Sequence, residues 1–147
     1  MKTPVAIIVI MLCFSTLSHA QNTKSRAQEL KEQAQSSLSQ KDYIKARYLF
    51  KKAYEAFATR EDYPQAVECG IQANALYVRE NFYKEGFELC RNMEQLIWTG
   101  EQKQNKVFYD LRFPISKERL QMYIALKNPA QAKNQLDKLE EMAGLAK

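Results

Sequence analysis

Most nucleophilic and metal chemistry is built from histidine and cysteine, and this chain carries one histidine, His19, and three cysteines, Cys13, Cys69 and Cys90. A Ser–His or Cys–His pair needs the imidazole as its base, and a zinc site draws on His and Cys together. His19 and Cys13 sit in an N-terminal stretch that reads as a leader. Its removal leaves no imidazole and two thiols. The remaining sequence has no CxxC, no HExxH and no glycine-rich phosphate loop. It also lacks the clustered Asp/Asn around a central Gly that a calcium loop requires. Carboxylate pairs with the right types for acid/base work occur at Glu85 with Glu88 and at Glu140–Glu141. Both fall on polar helix faces, where neither carboxyl would be tuned by burial. The expectation is therefore a protein that is not an enzyme, with no catalytic residue, no metal and no cofactor.

Binding remains. Tyr48, Tyr54, Asn74, Arg79, Arg91, Trp98 and Arg112 are polar or aromatic residues off the apolar ladder described below. Tyr, Trp and Arg are the types that carry interface hot spots, so these seven are the candidate protein-binding residues. Each alone reads more readily as a half-buried tyrosine or a solvated arginine, and Trp98 more readily as a core or hairpin-end residue than as a binding platform. Asn74 interrupts an otherwise apolar stretch from Ile71 to Leu76.

The elements that hold these residues announce themselves by a repeat. Tyr43 is followed by Ala46, Phe50, Ala53 and Phe57; Tyr63 by Ala66, Gly70, Ala73 and Tyr77; Tyr83 by Gly86, Cys90, Met93 and Ile97. The offsets are +3, +7, +10 and +14 each time, and the tyrosines are 20 residues apart. That spacing is one face of an α-helix, with small residues where a neighbouring helix comes close. A fixed period of this kind is the mark of stacked helices. The ladder recurs from Pro129 as Ala132, Leu136, Leu139 and Ala143, after an insertion taken to be an irregular stretch plus one helix. The expected elements are a first helix over about 24–40 with Ala27, Leu30, Ala34 and Leu38 inward, then helices over about 43–59, 63–79 and 83–100, with the polar stretch Glu101–Tyr109 open to continuing the last of them. Asp42 and Asp62 serve as N-caps. A break is expected at Leu111–Ile115, because Pro114 disfavours helix before it, with Ser116 as a new N-cap. Antiparallel packing places Cys69 about four residues from the position opposite Cys90, roughly 6 Å along the axis. That is too far for a disulfide, and both read as small core residues. The fold class is all-α: an antiparallel solenoid of helical hairpins, six or seven helices after a signal peptide.

The ends and the charge complete the frame. Lys2, an apolar run from Pro4 to Leu17 and Ser18-His19-Ala20 form a secretory signal, cleaved after Ala20. The run is short for a membrane span, and an uncleaved anchor is the alternative. Residues 1–20 are thus the signal peptide and 21–147 one helical domain, exported to the periplasm. The formal charge is +5 for the whole chain, one less without Lys2. Acids and bases are interspersed, which argues against nucleic acid. The densest basic stretch, Lys41, Lys45, Arg47, Lys51 and Lys52, is read as a solvated helix face; its rival reading is attraction to an acidic partner or a phospholipid headgroup. Otherwise, membrane contact is expected only through a partner or an uncleaved signal.

Ala46, Phe50 and Ala53 have the small-x3-aromatic-x2-small spacing of the second helix of a tetratricopeptide repeat, which this chain resembles. Leu30, Ala34 and Tyr43 fall where that family has large, small and aromatic residues. Ser37 replaces the usual aromatic, and the period is 20 or 40 instead of 34. The segments Ala46–Phe57, Glu61–Gly70 and Lys117–Ile124 also resemble the periplasmic N-terminal sensor region of Bacteroides-type histidine kinases and regulators. That resemblance implies a non-catalytic repeat module binding a protein or peptide on its concave face, as a sensor or docking part of an envelope signalling system. It also implies a peptide-clamping role for Asn74, because asparagines on inner tetratricopeptide helices hold peptide backbones. Here the sequence ends at Lys147 without the membrane helix and output domain of such proteins, so a stand-alone binder or a separated sensor half is expected. The alternative function is a self-associating structural or assembly subunit, a homo-oligomer joined through its exposed end.

Overall fold

The computed structural model describes residues 26–145. The leader expected at residues 1–20, with Cys13, His19 and the cleavage point after Ala20, lies outside the described residues. Among the described residues the fold is all-α, with six helices and no strand. They are α1 (26–39), α2 (Tyr43–Thr59), α3 (Tyr63–Arg79), α4 (Tyr83–Gln104), α5 (Tyr109–Ala125) and α6 (Pro129–Leu145).

The 20-residue period has a simple origin. Helices α2, α3, α5 and α6 are each 17 residues long, and four connections are three-residue turns of one design. In each, the middle residue is left-handed: Lys41, Glu61, Asn81 and Lys127, at φ 61, 58, 63 and 52°. Asp42 N–H donates to Ser37 C=O at 2.9 Å and Lys41 N–H to Leu38 C=O at 3.0 Å. The same pair of bonds recurs at Asp62/Glu61, Phe82/Asn81 and Asn128/Lys127. This is a Schellman stop, which satisfies carbonyls the helix end would otherwise strand. The next residue starts a new helix: the side chains of Asp42, Asp62 and Asn128 accept from the backbone N–H of Lys45, Gln65 and Gln131. Pro64 lies in the first turn of α3, where a missing N–H costs nothing.

Side-chain contacts give the relative directions. Gly70 meets Met93 and Gly100 meets Tyr63, so α3 and α4 run antiparallel. Arg47 reaches Tyr77 between α2 and α3, and Glu94 reaches Arg119 between α4 and α5, again antiparallel. Alternate helices run parallel and also touch: Asn74 with Glu118 and Tyr63 with Phe108 join α3 to the start and middle of α5. Lys31 of α1 reaches Gln65 and Glu68 of α3. The ladder residues Ala46, Phe50, Ala53, Phe57, Ala66, Ala73, Cys90, Met93 and Ile97 form the core. A side chain at Gly86 would stand 2.8 Å from Met122 Sδ and 3.0 Å from Asn74 Oδ1, so α4 needs its glycine there. Cys69 and Cys90 are free and fully buried, and burial pushes both thiols up to about 12.

Helix α4 runs past Gly100 to Gln104, taking in the start of the polar stretch at 101–109, and the glycine lets the Tyr63 ring lie against the helix backbone. Two expectations need correction. Pro114 does not break the chain at 111–115, and Ser116 is not an N-cap but a buried residue inside α5. The proline is the sixth residue of that helix and forfeits one hydrogen bond, to the carbonyl of Asp110, a residue that faces water. The insertion is therefore six residues long, in α4 and the corner after it, while α5 is a standard 17-residue unit. In α6 the buried residues are Gln135 and Leu139, while Leu136 and Ala143 are exposed. A last helix has only α5 to pack on, so a narrower stripe is covered.

Candidate functional site: the cleft at the α4–α5 corner

Where α4 overruns the common helix length it builds a corner. Gly100 lies at the level of Tyr63, the first residue of α3; an added side chain there would fall 2.7 Å from the tyrosine ring. Residues 101–104 extend four residues further, about 6 Å. Asn105 turns the chain in a left-handed conformation (φ 49°). Phe108, the N-cap of α5, has no side chain able to cap, and Glu101 supplies that function from a distance. Glu101 is buried, and its carboxylate accepts from the Phe108 N–H at 2.8 Å, from Arg112 Nε at 2.8 Å and from Arg112 Nη2. The Arg112 guanidinium holds the Glu101 carboxyl below the usual carboxylate range, against the opposing effect of burial and with help from the Phe108 amide. Outside the corner Lys103 pairs with Glu61.

The corner and the α2–α3 turn enclose a cleft of about 790 Å³, lined by residues 60–64, 104 and 106–111. Its floor is formed by the half-buried Phe108, Tyr109 and Leu111, with the Tyr63 ring, itself buried, 5.7 Å from that of Phe108. Val107, half exposed, forms the lip. Arg60 forms one wall, and its Nη1 is buried with no hydrogen-bond partner. Arg60 also borders a second cleft of about 520 Å³ between α1 and α2, which Arg26, Leu30 and Lys52 share. The guanidinium thus stands where two grooves meet. An apolar floor with a few convergent polar groups is the usual make-up of a binding site. A buried donor without a partner is rare enough to need a reason. No group of three or more His, Cys, Asp or Glu able to hold a metal occurs among the described residues.

The seven residues singled out from sequence do not converge. Tyr48 is exposed on the outer face of α2, with Lys52 Nζ 5.9 Å from its ring. Arg79 lies 3.8 Å over the Tyr43 ring. Arg91 and Trp98 share one exposed stripe of α4. Arg112 is the one member at the corner, engaged by Glu101. Tyr54 and Asn74 lie in the interior, Asn74 completely buried. Asn74 Nδ2 donates to Glu118 Oε2 at 2.9 Å, bridging α3 and α5. Glu118 itself is legible in hindsight. Counted from Phe108, the offsets +3, +7, +10 and +14 fall on Leu111, Ile115, Glu118 and Met122, which places a carboxylate on a core rung. The cleft residues carry no motif; the only sequence signal for them is the interruption of the 20-residue period.

No protein-family model, curated protein or solved structure matches this chain.

Proposed function

We propose that this chain is an exported, non-catalytic helical-repeat module of tetratricopeptide-like solenoid form, which binds a segment of another protein as the sensing or docking part of an envelope signalling system. One observation carries the reading: the unpartnered Arg60 guanidinium at the junction of two clefts, beside an aromatic floor. An extended segment of protein fits that arrangement. Its apolar side chains lie on Val107, Phe108 and Leu111, and a carboxylate meets the Arg60 guanidinium. The resemblance to periplasmic sensor regions supports the sensing context, and the cleft supports a binding surface at the turn end of the stack, where Arg112 alone of the seven residues first singled out stands.

The test is a photo-crosslinking amino acid at Val107, on the cleft lip, with a second at Trp98 as the control, in cells that make the protein. The expected result is one envelope protein captured from position 107 and not from 98, with capture lost on Arg60→Glu. Equal capture from both positions, or capture indifferent to Arg60→Glu, counts against the cleft.

A second reading rests on a separate feature. Ile124, Leu126 and Leu136 are exposed at the α5–α6 end, an apolar patch at the open edge of a stack, where a second copy would add buried area. Sedimentation of the wild type and of Ile124→Asp distinguishes it: only self-association gives an oligomer that the substitution dissolves.

A further inference from the structure

The outward face of α2 joins an exposed apolar pair to a group of exposed lysines. Ile44 and Tyr48, one turn apart, are 69% and 60% exposed. Around them stand Lys41 in the preceding turn and Lys45, Lys51 and Lys52 on the helix, all exposed. At about 100° per residue, Ile44, Tyr48, Lys51 and Glu55 fall on one line of the helix, with Lys45 and Lys52 on one flank. Two acids are near: Glu55, which Lys52 already pairs with at 2.9 Å, and Asp42, which caps α2 through the Lys45 backbone N–H. No ion pair joins Lys41, Lys45 or Lys51 to a carboxylate among the described residues. Arg47, at the other edge, is engaged by Glu80 and by the Tyr77 and Phe82 rings. What remains is an exposed apolar pair ringed by unneutralised lysines.

We propose that this face docks the protein on a bilayer rich in anionic phospholipid. The charge selects a negative surface, and the residue types select lipid over protein. Protein interfaces are depleted in lysine and enriched in arginine, and the one arginine here is committed to Glu80. Lysine suits a diffuse layer of headgroups, because its stem lies along apolar surface while its ammonium reaches outward. Tyrosine settles at headgroup depth, and Ile44 beside it supplies the apolar insertion that helps hold a peripheral helix in place. Ile44 is 16 residues from Arg60 along the chain, about 24 Å of helix, so docking by this end of α2 leaves the turn-end cleft open. The contact is direct, a departure from the expectation that a partner or an uncleaved leader alone brings the chain to a membrane.

The experiment is co-sedimentation of the protein, in the form cells release, with phosphatidylcholine vesicles with and without phosphatidylglycerol. Wild type is expected to bind only the anionic vesicles and to be released when salt rises from about 0.05 to about 0.5 M, as the Debye length shrinks several-fold. Lys45→Gln/Lys51→Gln should weaken binding about twenty-five-fold, near fivefold for each lysine. Ile44→Ser/Tyr48→Ser should weaken it at every salt concentration. All four positions are exposed, so unchanged circular dichroism checks the fold. The proteins compared share one N-terminus, so any retained leader cancels. Wild type that ignores anionic vesicles overturns the proposal and leaves an acidic protein surface as the target of these lysines. Binding indifferent to both variants overturns it equally.

Discussion

Replacing Glu101 by glutamine tests the corner that shapes the cleft. The change is nearly isosteric, and Oε1 can still accept from the Phe108 N–H. The new amide, however, sets an NH2 group against Arg112 Nη2, donor to donor. The bonds from Arg112 are charge-assisted, a class worth about 1.5–3 kcal/mol each. The Arg112 side chain is 36% exposed, so solvent screens the pair and the low end applies. A loss of about 2 kcal/mol follows, or roughly 5–8 °C in melting temperature for a chain of this size. The pH dependence adds a signature that cavity or packing effects lack. Arg112 lowers the folded-state pKa of Glu101, so its contribution is complete above the unfolded value of about 4.3. It is lost as pH falls through the folded value. Urea unfolding followed by circular dichroism should therefore show a wide gap between wild type and Glu101→Gln at neutral pH, and a shrinking gap in acid. Equal stabilities at neutral pH, or a gap that stays constant into acid, would refute the reasoning.

Gly100→Ala should destabilise by about 1 kcal/mol, because overpacking against the rigid Tyr63 ring exceeds the helix-propensity gain of similar size; in a Tyr63→Leu background the same substitution should become stabilising, as read from denaturant midpoints. Lys41→Gly, Glu61→Gly and Lys127→Gly should each raise stability by roughly 0.5 kcal/mol by relieving a left-handed backbone, whereas Asn81→Gly should change little. With both thiols pushed up to about 12, a disulfide reagent at mildly alkaline pH should leave Cys69 and Cys90 unmodified in the native protein and label both once denaturant is added. Rapid native labelling would show that the helices open far more often than this packing implies.

Helices α2 to α4 are legible in the sequence because everything that defines them is local. In α2 and α3 a 17-residue helix, a three-residue stop and an acidic cap repeat in place, the start of α4 keeps the same 20-residue step, and the small rungs mark close approach. The failures share a cause in contacts distant along the chain. Glu101 with Arg112 spans 11 residues and Asn74 with Glu118 spans 44; both look like ordinary polar surface until the helices are set side by side. Pro114 reads as a breaker because propensity treats each helix alone, while α5 is held by Ile115 and Met122 in the core. Leu136 reads as core because periodicity says which residues share a face but not how wide a neighbour covers it. Arg60 has no sequence signal: its meaning comes from two grooves that meet beside it.

The overrun of α4 has an evolutionary reading. A recess made by one helix outlasting its neighbours is set by a length, whereas the stack is set by the composition of its rungs, so the two can drift independently. Excising residues 101–104 would remove slightly more than one helical turn, keep the following corner pointing nearly the same way and erase the wall, with every rung below Gly100 untouched. Removing two would swing the corner about 200° away from Tyr63. Heritable change in the recess should therefore come in steps of one turn, and homologues of this chain should differ there by three or four residues more often than by one or two.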